Sequence, residues 1–195
     1  MGVLYDQAEP EVHEMARKIL EEHHKELKMP DGTFVRLCIL MAFQKDKNCD
    51  EPAVVLHGYP CAAKVSIIPY KQRVDKRADA EIIIDQQAWD RMSLRRQQAL
   101  LDHEITHITF EVDELGAVKT DDVGRPKLTL RLHDFELGGF STVARRYGLD
   151  ALEVIAAMKF RDDFGKDLLL ESIEENQVEQ KVTLAPEKEE EPSLY

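Results

Sequence analysis

Residues 101 to 108 read Leu-Asp-His-Glu-Ile-Thr-His-Ile. His103 and His107 lie four positions apart and Glu104 directly follows the first, the pattern H-E-x-x-H. On an α-helix, residues i and i+4 project from one face, a turn apart. Two imidazoles so placed reach one Zn²⁺ at about 2.1 Å. The glutamate beside the first then faces a zinc-bound water, takes its proton and hands it to a leaving amine. Zinc lowers the pKa of such a water to about 7, which makes a nucleophile available in neutral solution. The competing reading is an ordinary helix with two surface histidines. Against it, Leu100, Leu101, Ile105, Thr106 and Ile108 are uncharged, no Pro or Gly interrupts the motif, and an apolar stripe backs the helix. These features favour the zinc reading.

A catalytic zinc takes three protein ligands and keeps one position open. His133, in "RLHDFELGGF", is the one histidine after His107. It falls where a strand-like run gives way to a helical one, and is the first choice for the third ligand. Glu136 is the second choice, and Asp134 could ligate or orient an imidazole from behind. Both carboxylates also suit the first turn of a helix, whose dipole favours negative charge without any metal. Asp102 reads as a solvated helix residue at the wrong angle to share the metal. Arg145, Arg146 and Tyr147 are candidate donors to a developing oxyanion, although surface arginines and a packed tyrosine are the plainer reading. His13, His23 and His24 read as part of a solvated helix face. Cys49, His57 and Cys61 lack the close C-x-x-C spacing of a structural zinc site, and Cys38 reads as a small core residue.

These residues need a scaffold. Residues 10 to 28 carry Val12, Met15, Ala16, Ile19, Leu20 and Leu27 at three- and four-residue steps, the pattern of an amphipathic helix, ended by "MPDG". Three strand-like runs follow, at 33 to 43, 62 to 70 and 79 to 85. They predict a small mixed or antiparallel sheet, with the charged "KQRVDKRA" as a hairpin-like loop. Residues 86 to 109 return to helical spacing, with Leu94, Leu101, Ile105 and Ile108 on one face, Ser93 as a cap and Trp89 packed beneath. Residues 109 to 135 read as a β-hairpin excursion broken at Gly116 and "DDVGRP". Two helices are expected after it, from about 134 to 147 ending at Gly148, and from about Asp150 to 170.

The 195 residues, 43% hydrophobic and 33% charged, suit one domain with a real core. No apolar run approaches the ~18 residues a membrane helix needs, and the start lacks a secretory pattern. Three unpaired-looking cysteines fit a reducing compartment, so a cytoplasmic setting is expected. Of the net charge of −12, residues 171 to 195 hold −6, from eight Glu and two Lys. This segment should be a disordered acidic tail behind a domain spanning 1 to 170. An acidic body offers no footprint for phosphate backbones, so nucleic acid is not the expected partner.

At Trp89, "ALLDHEITH" (99 to 107), "LHDFE" (132 to 136) and "RRYG" (145 to 148), the chain resembles the zincin metallopeptidases. More narrowly it resembles the phage metallopeptidase family and, more distantly, SprT-like zincins. The resemblance implies an α+β zincin-like fold and a zinc site with His103 and His107 as ligands and Glu104 as general base. In SprT-like members a downstream histidine completes the site, and His133 stands at that position. The metzincin continuation is absent, since "HITFEV" runs on from His107, and an acidic tail replaces the basic one SprT-like proteins often carry. The resulting expectation is a zinc-dependent peptidase acting on a protein or peptide laid against a sheet edge. The alternative is a non-catalytic, zinc-stabilised binding or regulatory module whose metal is closed by four ligands. A hydrolase of non-peptide amides is a weaker third.

Overall fold

The computed structural model describes residues 2–46, 51–76, 78–121, 124–134 and 139–164. The chain opens on strand β1 (Val3–Gln7) and enters helix α1 (Pro10–His23) with Pro10 in the first turn, where a missing N–H costs nothing. Val12, Ala16, Ile19 and Leu20 form its buried stripe. A single 3₁₀ turn (Lys25–Leu27) follows and buries Leu27 completely. Next come β2 (Leu37–Gln44), a short hairpin of β3 (Val55–Leu56) and β4 (Tyr59–Pro60), and β5 (Ala63–Ile67). Helix α2 (Tyr70–Lys76) then precedes β6 (Ala80–Asp85).

Four of these strands make one mixed sheet in the order β1-β2-β6-β5. β2 and β6 run parallel, with Ile39 opposite Ile82, and the outer pairs β1–β2 and β5–β6 are antiparallel. β6 is a central strand, and its run of isoleucines suits a position with neighbours on both sides. Ala80, Ile82 and Ile84 are wholly buried. β1 and β5 are the two edges.

After the sheet, α3 (Gln86–Asp90) is capped by Asp85, whose side chain accepts from the Ala88 N–H. Helix α4 (Leu94–Thr106) starts at Ser93, whose hydroxyl accepts from the Arg96 N–H. Leu100, Leu101 and Ile105 of α4 enter the main core with Trp89, α1 and the sheet. Strands β7 (Ile108–Phe110) and β8 (Leu128–Leu130) pair as a hairpin, with bridges Val112–Val118 and Thr120–Pro126 further out. Helix α5 (Ser141–Tyr147) ends at Gly148, whose φ of 57° is open to glycine and few others. Helix α6 (Leu152–Phe164) completes the described chain. A second, smaller core gathers Ala99, Phe140, Val143, Tyr147 and Ala151. The chain divides into two units, Met1–Ile155 and Ala156–Tyr195; the second is described only as the rest of α6.

The α+β class, the small mixed sheet and the hairpin excursion agree with the sequence reading. Four details differ. The charged stretch 71 to 78 is largely helix α2, because Arg73 folds back to donate to the Ile68 carbonyl and stack on Tyr70. The helical run expected over 86 to 109 is two helices and the start of a strand, since the Ser93 cap begins a new helix. Leu94 is therefore exposed and Ile108 lies in β7. Helix α5 starts at Ser141 rather than near 134. β1 was not anticipated: most of its residues are exposed, so it shows no core-facing alternation. The expected boundary at 170 and the acidic tail lie outside the described residues.

Candidate metal centre

The two motif histidines ride on the last turn of α4 and its cap, a helix fixed by burial of Leu100, Leu101 and Ile105. His133 reaches them from the segment between β8 and α5. The hairpin makes that return possible: Arg131 N–H donates to the His107 carbonyl at 2.7 Å, continuing the β7–β8 ladder to the end of the helix. One nitrogen from each of His103, His107 and His133 lies within 4.8 Å of the others. Among the described residues this is the one such group of His, Cys, Asp or Glu. The His103 and His133 Nε2 atoms are 3.2 Å apart. Nitrogens bound at ~2.1 Å around a tetrahedral ion would be about 3.4 Å apart, so the spacing fits a metal ion.

The remaining nitrogens of the motif pair have partners of their own. His103 Nδ1 is 2.8 Å from Glu153 Oε1, and His107 Nδ1 is 2.9 Å from the Arg131 carbonyl. Each contact leaves Nε2 as the free nitrogen. Phe140, with no exposed surface, packs against all three imidazoles at ring-centre distances of 5.0, 4.7 and 5.1 Å. The Arg131 guanidinium lies over the same ring at 4.8 Å.

The electrostatics fit a cation as well. Glu104 is buried, and that burial pushes its carboxyl up to about 7, with the nearby Glu153 charge adding and His103 opposing. Burial holds His107 down to about 4 and lowers His133 too. His103 goes the other way: burial would lower it, but the hydrogen bond to Glu153 and the charge of Glu104 raise it. Burial would raise Glu153, and the hydrogen bond and charge of His103 together with backbone hydrogen bonds outweigh that and lower it. Among the described residues, its second oxygen, Oε2, is buried without a hydrogen-bond partner. Two buried carboxylates thus flank an imidazole cluster, one with an unsatisfied oxygen, an arrangement that positive charge would stabilise.

Residues 5–160 match the family described as "Putative phage metallopeptidase". The chain belongs to this family. No curated protein and no solved structure matches it. The family span takes in α4, the hairpin, His133, Phe140 and Glu153, so every residue of the cluster and its surroundings lies inside it. A metallopeptidase family and a histidine cluster able to hold a metal ion are therefore found in one stretch of chain.

The structure brings His103, Glu104, His107 and His133 together. It gives Asp134 a different task from ligation or imidazole orientation: the carboxylate pairs with Arg131 and accepts from the Ser141 N–H and hydroxyl, both at 3.0 Å. It thereby caps α5. Glu136 lies outside the described residues, as does Cys49. Asp102 is not solvated but wholly buried, bonded at 2.6 Å to His24 Nε2 and to Arg146. His24 is correspondingly buried, not on a solvated face. Arg146 is committed to that carboxylate, while Arg145 is exposed and Tyr147 is packed in the smaller core. Glu153 and Phe140 were missed. They stand 50 and 37 residues after His103, and no spacing rule connects them to it. Asp102 did carry a signal: a carboxylate between Leu101 and Ile105 on a core helix needs a buried partner.

Proposed function

We propose that the chain is a zinc-dependent peptidase in which His103, His107 and His133 hold the ion and Glu104 is the general base. The observation that carries this is the convergence of three imidazole nitrogens from two segments beside a buried glutamate. A bound zinc ion supplies a Lewis acid that acidifies water and polarises a scissile carbonyl. Glu104 accepts the proton of the attacking water and returns it to the leaving nitrogen. Glu153 and the Arg131 carbonyl hold Nδ1 of the motif histidines, so Nε2 faces the ion. Phe140 forms an apolar backing that keeps water off that side of the rings.

The substrate in this reading is a protein or peptide in extended form, added along β5. That strand is the sheet edge lying against α4 and β8, the elements that carry the site. Main-chain hydrogen bonds to an open edge recognise an extended peptide without demanding a particular sequence. Among the described residues, no helix is long and apolar enough to cross a membrane. Cys38 and Cys61 are free thiols, which supports a reducing, cytoplasmic setting.

Metal content by mass spectrometry, with peptide cleavage measured beside it, tests the proposal. The parent should hold about one zinc per chain, His133→Ala should lose it, and Glu104→Gln should keep it and lose cleavage. A Glu104→Gln protein that still cleaves peptides would remove the mechanism. A four-ligand site that keeps zinc in His133→Ala would turn the reading towards a non-catalytic module.

A further inference from the structure

We infer that Glu153 is the positioning residue of the metal centre, fixing the tautomer and orientation of His103. The inference rests on the metal-site reading. Glu153 sits in the first turn of α6 with its side chain almost wholly buried. Its Oε1 is 2.8 Å from His103 Nδ1 and 3.3 Å from the Phe140 N–H. A carboxylate oxygen only accepts, so His103 Nδ1 must donate. An imidazole protonated at Nδ1 presents a bare Nε2, the atom that faces His133 in the cluster. The same oxygen holds the backbone at Phe140, the ring packed on all three imidazoles. One acceptor thus sets both the proton on His103 and the wall behind it. His107 has a neutral acceptor, the Arg131 carbonyl, so of the two motif histidines only His103 is hydrogen-bonded to a carboxylate.

The two donors converging on Oε1 make the conservative variant informative. In Glu153→Gln the amide oxygen must take the place of Oε1, because an NH₂ there would face two donors. The amide nitrogen then falls where Oε2 lies, an atom with no hydrogen-bond partner among the described residues. Glu153→Gln should therefore keep the His103 tautomer, and Glu153→Ala should not. The primary readout is the ¹⁵N imidazole signature of His103 in metal-free protein, at a pH that leaves all three imidazoles neutral. Zinc affinity by chelator competition is the second. The expected result is Nδ1–H in the parent and in Glu153→Gln, and mixed tautomers in Glu153→Ala. Affinity should fall about 10- to 100-fold in Glu153→Ala, the range for lost outer-shell partners, and less in Glu153→Gln. Val143→Ala, which loosens the same small core without touching the oxygen, should leave the tautomer unchanged.

A folded Glu153→Ala protein with the parent tautomer, or with zinc affinity within twofold of the parent, overturns the inference. So does a Val143→Ala protein that loses the tautomer as fully as Glu153→Ala. If the parent itself binds no zinc, the metal-site reading fails while the tautomer of the metal-free proteins still decides the role of Glu153.

Discussion

Replacing Glu104 by glutamine should stabilise the metal-free protein, and only above acidic pH. The buried carboxyl titrates at about 7 against an ordinary 4.5. The folded protein therefore holds the proton more tightly than the unfolded chain. As pH rises from about 4.5 to about 7, the unfolded chain releases that proton first and stability falls; beyond the folded value the loss is complete. Each pKa unit corresponds to about 1.4 kcal/mol, so the loss is roughly 3 kcal/mol at pH 8, a large share of the ~5–15 kcal/mol that holds a domain together. In Tm this is roughly 6–12 °C for a fold of this size. Glutamine has nearly the shape of protonated glutamate and does not titrate. The assay is urea unfolding of chelator-treated parent and Glu104→Gln across pH 4 to 8. The stability gap between them should stay constant at the acid end and widen by roughly 3 kcal/mol towards pH 8, in favour of the variant. Any fixed offset from burying an amide cancels, because the test is the change in the gap. A divalent cation beside the carboxylate favours its charged form, so saturating zinc should close most of the widening. A gap that changes by less than about 1 kcal/mol between the two ends of the range, or that widens in favour of the parent, would refute the burial argument.

Three further outcomes are expected. Asp102→Ala leaves His24 buried without its carboxylate, while Arg146 can turn to solvent; the loss should be about 3 kcal/mol, the lower end for a broken buried pair, read by the same urea titration. Because the bonds to His24 and Arg146 hold Asp102 below the usual carboxylate range despite its burial, this contribution is present above about pH 4 and fades in acid. The parent and Asp102→Ala should then converge as pH falls, and a gap independent of pH would count against the ion pair. Phe140→Ala empties the centre of the smaller core and should destabilise by about 3–5 kcal/mol; zinc titration of the variant should also show weaker binding, and parent-like stability would contradict the packing. Gly148→Ala places a Cβ on a residue with φ of 57° and ψ of −127°, which should lower stability by about 1–3 kcal/mol; a neutral result in thermal melts would show that the turn relaxes.

The motif helix was legible because its pattern is local. His103, Glu104 and His107 are fixed to one another by helix geometry alone, and the flanking leucines and isoleucines announced the face that docks it. His133 was legible by scarcity, as the one histidine downstream. What brings it home is not local: the Arg131 bond to the His107 carbonyl is part of a hairpin whose register follows from pairing across the seventeen residues between Phe110 and Leu128. Glu153 and Phe140 belong to the same class of long-range fact. Asp102 was misread for a different reason. Its polar letter suggested solvent, yet α4 is buried on nearly every side, from Ala99 to Thr106, so its charge had to be met by the chain. The helix α2 was hidden by a charged sequence whose order comes from Arg73 folding back on Ile68 and Tyr70. β1 was hidden because an exposed edge strand needs no apolar alternation.

Three carboxylates are buried on or around the motif helix, and the protein treats each differently. Asp102 is met by His24 and Arg146, which tie the turn after α1 and helix α5 to α4. Glu153 is met on one oxygen by His103 and the Phe140 N–H. For Glu104, the charge of His103 favours the carboxylate but does not offset its burial. A fold under pressure for stability alone would place an apolar residue or a glutamine there, since an uncompensated buried charge is among the more destabilising single features a core can carry. Among the described residues Asp102 is paired on both oxygens, whereas the two carboxylates beside the nitrogen cluster are not fully compensated, Glu153 at Oε2 and Glu104 by its burial. That contrast separates Asp102, a fastening, from Glu104, whose charged form a cation held by the nitrogen cluster would favour. It also explains why the residue assigned the proton transfer is the one whose removal is expected to make the metal-free protein more stable.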